Sequence, residues 1–123
     1  MSVFLEPLET RSRFELALAP GVVMGSQAGS ILEFPDGDGP MLVFVSGGDW
    51  DTGIVVTVSF EESHAGLIWS AIAGSSVPGI EVGLARHTFT RTMRKIRCQV
   101  AVTGVEDPTA LVAVLVGQCC KLF

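Results

Sequence analysis

The sequence predicts an all-β fold, namely a single-domain β-sandwich of jelly-roll type with about seven to nine short strands. Its 14 glycines and 6 prolines interrupt the 123 residues at short intervals. The segments between them are apolar or alternating and rich in Val, Ile, Thr and Phe, which favour strands. No stretch of a dozen residues combines a 3.6-residue apolar period with helix caps, so no long helix is expected.

The N-terminal half contains four predicted strands, bounded by residues that are typical of turns. The first ends at Pro20-Gly21 and the third at Gly47-Gly48. The fourth alternates most clearly, because Val56, Val58 and Phe60 face one side and the residues between them face the other. The four predicted strands are residues 14–19, 30–34, 41–46 and 54–62.

The C-terminal half contains four more predicted strands. In the third of these, Ile96, Cys98, Val100 and Val102 alternate with polar or small residues and are predicted to face the core. The last is apolar on both sides, which is typical of a central strand or of a contact surface. The four predicted strands are residues 67–73, 86–93, 95–103 and 111–116.

Residues 1–12 are predicted to form an extended N-terminal arm, and residues 13–123 a β-sandwich domain. The arm segment is mostly polar and has no apolar period, whereas the rest has neither a linker nor an internal repeat. The longest apolar run, Ala110–Val116, is far shorter than the ~20 residues of a spanning helix. The first residues also lack a basic signal-peptide region, so no membrane association is expected.

The charges are segregated along the chain although the net charge is −5. Nine acids and no bases lie between Phe14 and Ala85, and five bases then follow without an acid. This basic strip consists of Arg86, Arg91, Arg94, Lys95 and Arg97. It is interpreted either as a strand face paired with acids or water, or as a docking strip for an acidic protein. Nucleic acid is not an expected partner, because the strip is short and offers only Phe89 for stacking.

One aromatic residue joins the basic strip as a predicted interface. Trp50 lies between two aspartates in a predicted loop, where it either folds back on the domain or anchors a contact. The predicted interface therefore consists of Trp50 and the five bases of the strip.

No catalytic or metal-binding constellation is apparent in the sequence. His64 and His87 are 23 residues apart and share no zinc-type spacing with cysteines or carboxylates. Ser63 and His64 would point to opposite faces of a strand, and no G-x-S-x-G elbow is present. The sequence thus predicts a protein that is not an enzyme and that needs no cofactor or metal.

Two segments carry a resemblance to a known group of proteins. Residues 53–74 read G-I-V-V-T-V-S-F-E-E-S-H-A-G-L-I-W-S-A-I-A-G, which resembles a strand followed by E-S-x-x-G and W-x-x-(I/V)-A-G. Residues 94–104 read R-K-I-R-C-Q-V-A-V-T-G and precede Asp107-Pro108-Thr109 and an apolar strand. Both segments are similar to small β-sandwich virion structural proteins of tailed bacteriophages and prophages. Lys95 departs from that pattern, which has an aromatic residue there.

The resemblance implies a capsid decoration or minor head protein that stabilises the particle by protein–protein contacts. It implies binding to the major capsid protein or another virion protein, a homo-oligomer, and a place in the virion after assembly in the host cytoplasm. Two alternatives stay open. One is a small carbohydrate-binding or other ligand-binding module that uses Trp50. The other is a hot-dog thioesterase-like enzyme, which needs a long helix that Gly66, Gly74 and Pro78 interrupt.

Overall fold

The computed structural model describes residues 13–34, 39–47, 53–80, 83–104 and 108–118. Within these ranges the chain forms ten β-strands and no helix, so none of the described segments is a helix able to cross a membrane. The predicted arm, residues 1–12, lies outside the described residues. The strands are β1 Arg13–Met24, β2 Ser26–Ala28, β3 Leu32–Glu33, β4 Gly39–Gly47, β5 Val55–Ser63, β6 Ser70–Ala71, β7 Val77–Ile80, β8 Gly83–Arg91, β9 Lys95–Thr103 and β10 Thr109–Gln118.

The strands form two antiparallel sheets whose order is that of a jelly roll. The first sheet has the order β1-β10-β4-β8, and the second the order β2-β9-β5-β6. β3 also pairs with β9, and β7 with β5, so the ten described strands occupy eight positions. The predicted fold class is therefore confirmed, and this two-sheet order differs from the fold with a long helix that the hot-dog alternative needs.

The core lies between the two sheets and follows the predicted alternation. Side chains of β5 and β9 that were expected to face inward are at most 2% exposed. β4 and β10 contribute the facing layer from the first sheet, because alternate residues of each strand are buried. These core residues are Val56, Val58, Phe60, Ile96, Cys98, Val100 and Val102 from the second sheet, and Met41, Val43, Val45, Ala110, Val112, Val114 and Val116 from the first.

The first strand is longer than predicted, because Pro20-Gly21 does not end it. β1 continues to Met24 along β10, with register shifts between Leu16 and Leu18 and between Leu18 and Gly21. β1 is the edge strand of its sheet. Pro is tolerated on an edge strand, where the missing N–H can fall on the open side, and bulges absorb the extra residues.

The predicted strand 67–73 is largely wrong. Only Ser70–Ala71 pair with β5 as β6, and the chain bends from His64 to Ile68. Gly66 has a φ of +83°, the left-handed region, which directs the chain out of the sheet before Leu67. This short pairing produces an exposed loop between β5 and β6.

Candidate functional site

The outer side of the first sheet is apolar on β1, β10 and β4, although an outer side normally carries polar residues. On β8 the described outward residues are Arg86, Thr88 and Thr90. Because alternate residues of β4 and β10 fill the core, the residues between them point outward. We call this surface the apolar face. It consists of Phe14, Leu16, Val22 and Met24 on β1, Leu111, Ala113 and Leu115 on β10, and Leu42 and Phe44 on β4.

Cross-strand pairs hold the apolar face together. Leu16 pairs with Leu115, which in turn pairs with Phe44 on the next strand. Phe14 lies opposite Gly117, which has no side chain, and its ring packs against Phe44 with a centroid distance of 6.1 Å. Aromatic and aliphatic pairs of this kind stabilise the sheet. The face is therefore an ordered, continuous surface.

Among the described residues, the apolar face is exposed along β1 and at Leu111, whereas its β4 residues, Ala113 and Leu115 are half-buried. Leu16 and Leu111 are nearly half exposed, and Val22 and Met24 are 64% and 66% exposed. Among the described side chains on the outer side of this sheet, Arg86 on β8 is the one that carries a charge. Exposed apolar surfaces of this extent usually mark a site of contact with another molecule.

The β5–β6 loop forms a second exposed apolar feature. Leu67 and Ile68 are 84% and 83% exposed at its tip. The Oγ of Ser63 accepts a hydrogen bond from the backbone N–H of Gly66 at 2.8 Å, which fixes the turn. Beside the tip lies an open, mainly apolar groove of about 360 Å³. The groove is lined by Ser63, His64, Ala65, Leu67, Ile68, Ser70 and Met93.

A buried carboxylate supports one wall of this groove. Glu62 Oε1 accepts hydrogen bonds from the backbone N–H groups of Thr92 at 2.8 Å and Met93 at 3.1 Å. Glu62 Oε2 accepts a third from Thr92 Oγ1 at 3.0 Å. The side chain thereby ties the turn between β8 and β9 to β5, and it keeps Met93 beside the loop.

The predicted basic strip does not form one exposed surface. Arg91 was predicted as an interface residue, but it is not exposed. Its side chain is fully buried at the end of β8, in phase with the inward Phe89. The guanidinium lies 5.3 Å from the ring centroid of Phe34 and donates a hydrogen bond to the Met93 carbonyl at 3.0 Å. It also donates to Gln118 Oε1 at 3.5 Å. These contacts give Arg91 a structural role in the core.

Three of the remaining bases pair with acids of this chain. Arg94 and Lys95 both reach Glu33, at 3.4 and 3.5 Å, and Arg97 Nε lies 2.8 Å from Glu61 Oε1. The hydrogen bond from Arg97 is the main cause that lowers the pKa of Glu61 below its usual 4.5. The strip therefore matches the paired-face interpretation. A contact role for Arg94, Lys95 and Arg97 stays a prediction.

The other two predicted interface residues lie apart from these pairs. Arg86 is exposed on the outer side of the first sheet, opposite Phe44. Trp50 lies outside the described residues, so its contact role stays a prediction. The second tryptophan, Trp69, is half-buried, and the Arg97 guanidinium covers one face of its ring at 4.3 Å.

No reactive centre is assembled among the described residues. His64 is exposed, whereas the Ser63 beside it is buried and its hydroxyl is engaged in the turn. His87 Nε2 lies 2.8 Å from the Gly74 carbonyl oxygen. Burial raises the pKa of the Cys98 thiol to about 11, which disfavours the thiolate that acts as a nucleophile. Within the described ranges, no three His, Cys, Asp or Glu side chains cluster as metal ligands.

The sequence carried a signal for the apolar face that alternation alone does not reveal. The last predicted strand is apolar on both sides, and residues 41–45 are likewise continuously apolar. A run of this kind indicates either a strand covered on both sides or a contact surface. In the described chain the second side of β10 and β4 is only partly covered, so these runs form the middle of the apolar face.

Comparisons with known proteins place the fold. No protein family model matches the chain, and no curated protein matches it. The PBSX exported protein XepA shares the fold with a TM-score of 0.64 and 11% identity over 90% of this chain. The SPBc2 prophage-derived protein YomS does so with a TM-score of 0.57 and 14% identity over 87% of this chain. The chain spans 38% of the length of XepA and 93% of that of YomS. The shared fold confirms, at the level of the fold, the resemblance to small phage and prophage β-sandwich proteins.

Proposed function

We propose that this protein is a virion structural protein of a tailed phage or prophage, and that it decorates the capsid or serves as a minor head protein. It acts by protein–protein contact and not by catalysis. The two sequence segments and the fold shared with YomS support this proposal, as does the engagement of Ser63 and the burial of Cys98. The partner is the major capsid protein or another virion protein.

The exposed tip of the β5–β6 loop is the observation that carries the proposal. Leu67 and Ile68 protrude from a turn that Gly66 and Ser63 fix, so little conformational entropy is lost when a partner covers them. Fully burying two such side chains contributes about 3–6 kcal/mol before the costs of association. That contribution alone is weak, but a particle repeats its sites, and linked contacts bind far more tightly than single ones.

The test is the presence of the protein on particles. Virions from cells that produce the phage are purified by density gradient and analysed by quantitative mass spectrometry. We expect the native protein at a fixed ratio to the capsid protein. The double variant Leu67→Ser/Ile68→Ser should fall at least about tenfold, because each serine removes roughly 1.5–3 kcal/mol of apolar burial.

A matched control separates the loop from general loss of apolar surface. Ile31 is 52% exposed and belongs to neither the loop nor the apolar face. Ile31→Ser should therefore remain on virions at the native ratio. Absence of the native protein from virions, or equal retention of the loop variant and the control, would count against the proposal.

A further inference from the structure

We infer that two copies of this chain pair through the apolar face, so that the first sheets of two protomers stack on each other. The inference deepens the proposed function, and it rests on that function for the use that a particle makes of the dimer. The apolar face of each protomer is covered by a second copy of this chain. This pairing leaves the β5–β6 loop, which belongs to the second sheet, outside the interface.

The first argument is the amount of apolar surface left in water. Five large side chains of the face are 40 to 66% exposed. Together they present roughly 400–500 Å² of apolar surface, since a fully exposed large side chain presents about 150–200 Å². An exposed apolar patch of this area is large for a soluble monomer. These side chains are Phe14, Leu16, Val22, Met24 and Leu111.

The second argument is size. The four strands of the sheet are nine to twelve residues long. With strands about 4.8 Å apart and a rise of about 3.4 Å per residue, the sheet measures roughly 15 by 30 Å. Two such faces bury on the order of 1,000 Å² in total, which is the lower bound for a specific interface.

The third argument is chemical and geometric match. Charge is confined to Arg86 among the described outward side chains of this sheet, so a charged partner surface would be buried without counter-charges. A second copy presents apolar residues on β1, β10 and β4, and on β8 it adds the uncharged hydroxyls of Thr88 and Thr90. Sheets that stack face to face lie about 10 Å apart, and the side chains between them must interdigitate. The face supplies large side chains at Phe14 and Phe44 beside small ones at Ala113 and Gly117.

The position of Arg86 selects one arrangement of the pair. Arg86 lies on β8, the edge strand opposite to β1. A two-fold axis parallel to the strands places β8 of one protomer over β1 of its partner. The two Arg86 side chains then lie at opposite rims, where each stays hydrated. An axis across the strands would instead bring β8 against β8 and the two cations together.

The test measures the mass of the full chain in solution. Sedimentation velocity over a range of concentrations should give twice the 13.0 kDa of one chain. Leu16→Lys/Val22→Lys places two ammonium groups on β1, where both positions are at least 49% exposed and tolerate charge in the monomer. Leu16 lies in one cross-strand row with Phe44 and Arg86, so a cation there faces the partner's Arg86 in the arrangement above. Dissociation should become at least about 100-fold easier, because each buried cation costs more than 1.4 kcal/mol.

A control and a second measurement keep the result interpretable. Val55 is 43% exposed on the second sheet, so Val55→Lys should remain dimeric. The melting temperature of the native protein should rise with protein concentration, as for any dimer that dissociates on unfolding, and this needs no variant. A monomer or a trimer at all concentrations, or a folded Leu16→Lys/Val22→Lys dimer, would overturn the inference. Because no particle is present, this result is independent of the virion test.

Discussion

Gly29 and Ser30 lie where the two sheets approach each other, and each donates a backbone hydrogen bond to a different sheet. Its N–H donates to the Cys98 carbonyl on β9 at 2.9 Å. The next residue, Ser30, donates to the Ala17 carbonyl on β1 at 2.8 Å. A side chain at position 29 would overlap the Ala17 oxygen and lie 2.5 Å from the Cys98 sulfur. Glycine is therefore required here by space and not by a left-handed backbone.

The first prediction concerns this glycine. Gly29→Ala should lower the free energy of unfolding by about 3 kcal/mol or more, because backbone atoms of β1 must move. Urea unfolding measures the change. Gly74→Ala is the matched control, since its added carbon meets no atom within 4 Å and only its φ of +78° is unfavourable. The control should lose about 1 kcal/mol. Equal losses in the two variants would show that the close approach is not rigid.

At the scale of elements, the turn between β8 and β9 is held by a side chain from β5. Glu62 is 9% exposed and accepts three hydrogen bonds from Thr92 and Met93. This turn carries Met93 to the groove beside the exposed loop. A short connection between two strands is thus held by a residue that is distant in sequence, and no local sequence pattern predicts this contact.

The second prediction removes these bonds. Glu62→Ala should destabilise the protein by about 2–3 kcal/mol, since two partly buried N–H donors lose a charged acceptor. Amide hydrogen exchange at Thr92 and Met93 should accelerate in the same variant. Glu62→Gln retains an oxygen for both N–H groups and should lose under about 1 kcal/mol. An unchanged exchange rate in Glu62→Ala would show that the turn is stable without the hydrogen bonds from Glu62.

The third prediction concerns the pairing of β5 with β9. The lowered pKa of Glu61 comes first from its hydrogen bond with Arg97 and then from that with Gln99. A depressed pKa contributes stability above pH 4.5, and this contribution is lost as the pH falls through the lowered pKa. Glu61→Gln should cost up to about 1 kcal/mol at neutral pH, because the pair is partly exposed. The difference from the native protein should vanish in acid, which urea unfolding at several pH values tests.

At the scale of the whole molecule, the elements with strong alternation were predictable. The predicted strand 95–103 has the bounds of β9, and 54–62 differs from β5 by one residue at each end. The prediction for segment 67–73 was wrong because its apolar residues favour a strand, although Leu67 and Ile68 are exposed in a loop. They lie beyond the turn at Gly66, and only the three-dimensional structure shows that no described element covers them.

The candidate surfaces were harder to predict than the fold, for a physical reason. Whether Leu16 or Leu115 is exposed depends on which strands are neighbours and on what packs over the sheet. That is a non-local property of the order β1-β10-β4-β8. The grouping of five bases in sequence was likewise misleading. Neighbours along a strand point to opposite faces, so Arg91 is buried in the core whereas Arg86 is exposed to solvent.

The pairing of β1 with β10 has a consequence for biosynthesis. β1 is the first of the described strands to be made, yet its partner strand is the last of them. Until β10 is made, Leu18 and Val23 lack the sheet in which they are buried, and the nascent chain exposes an apolar, unpaired segment. Such a chain completes its first sheet only after β10 has been made, and until then its exposed apolar segment is prone to aggregate. Conditions that limit aggregation of the nascent chain, such as a cooler host culture, should therefore raise the yield of native protein.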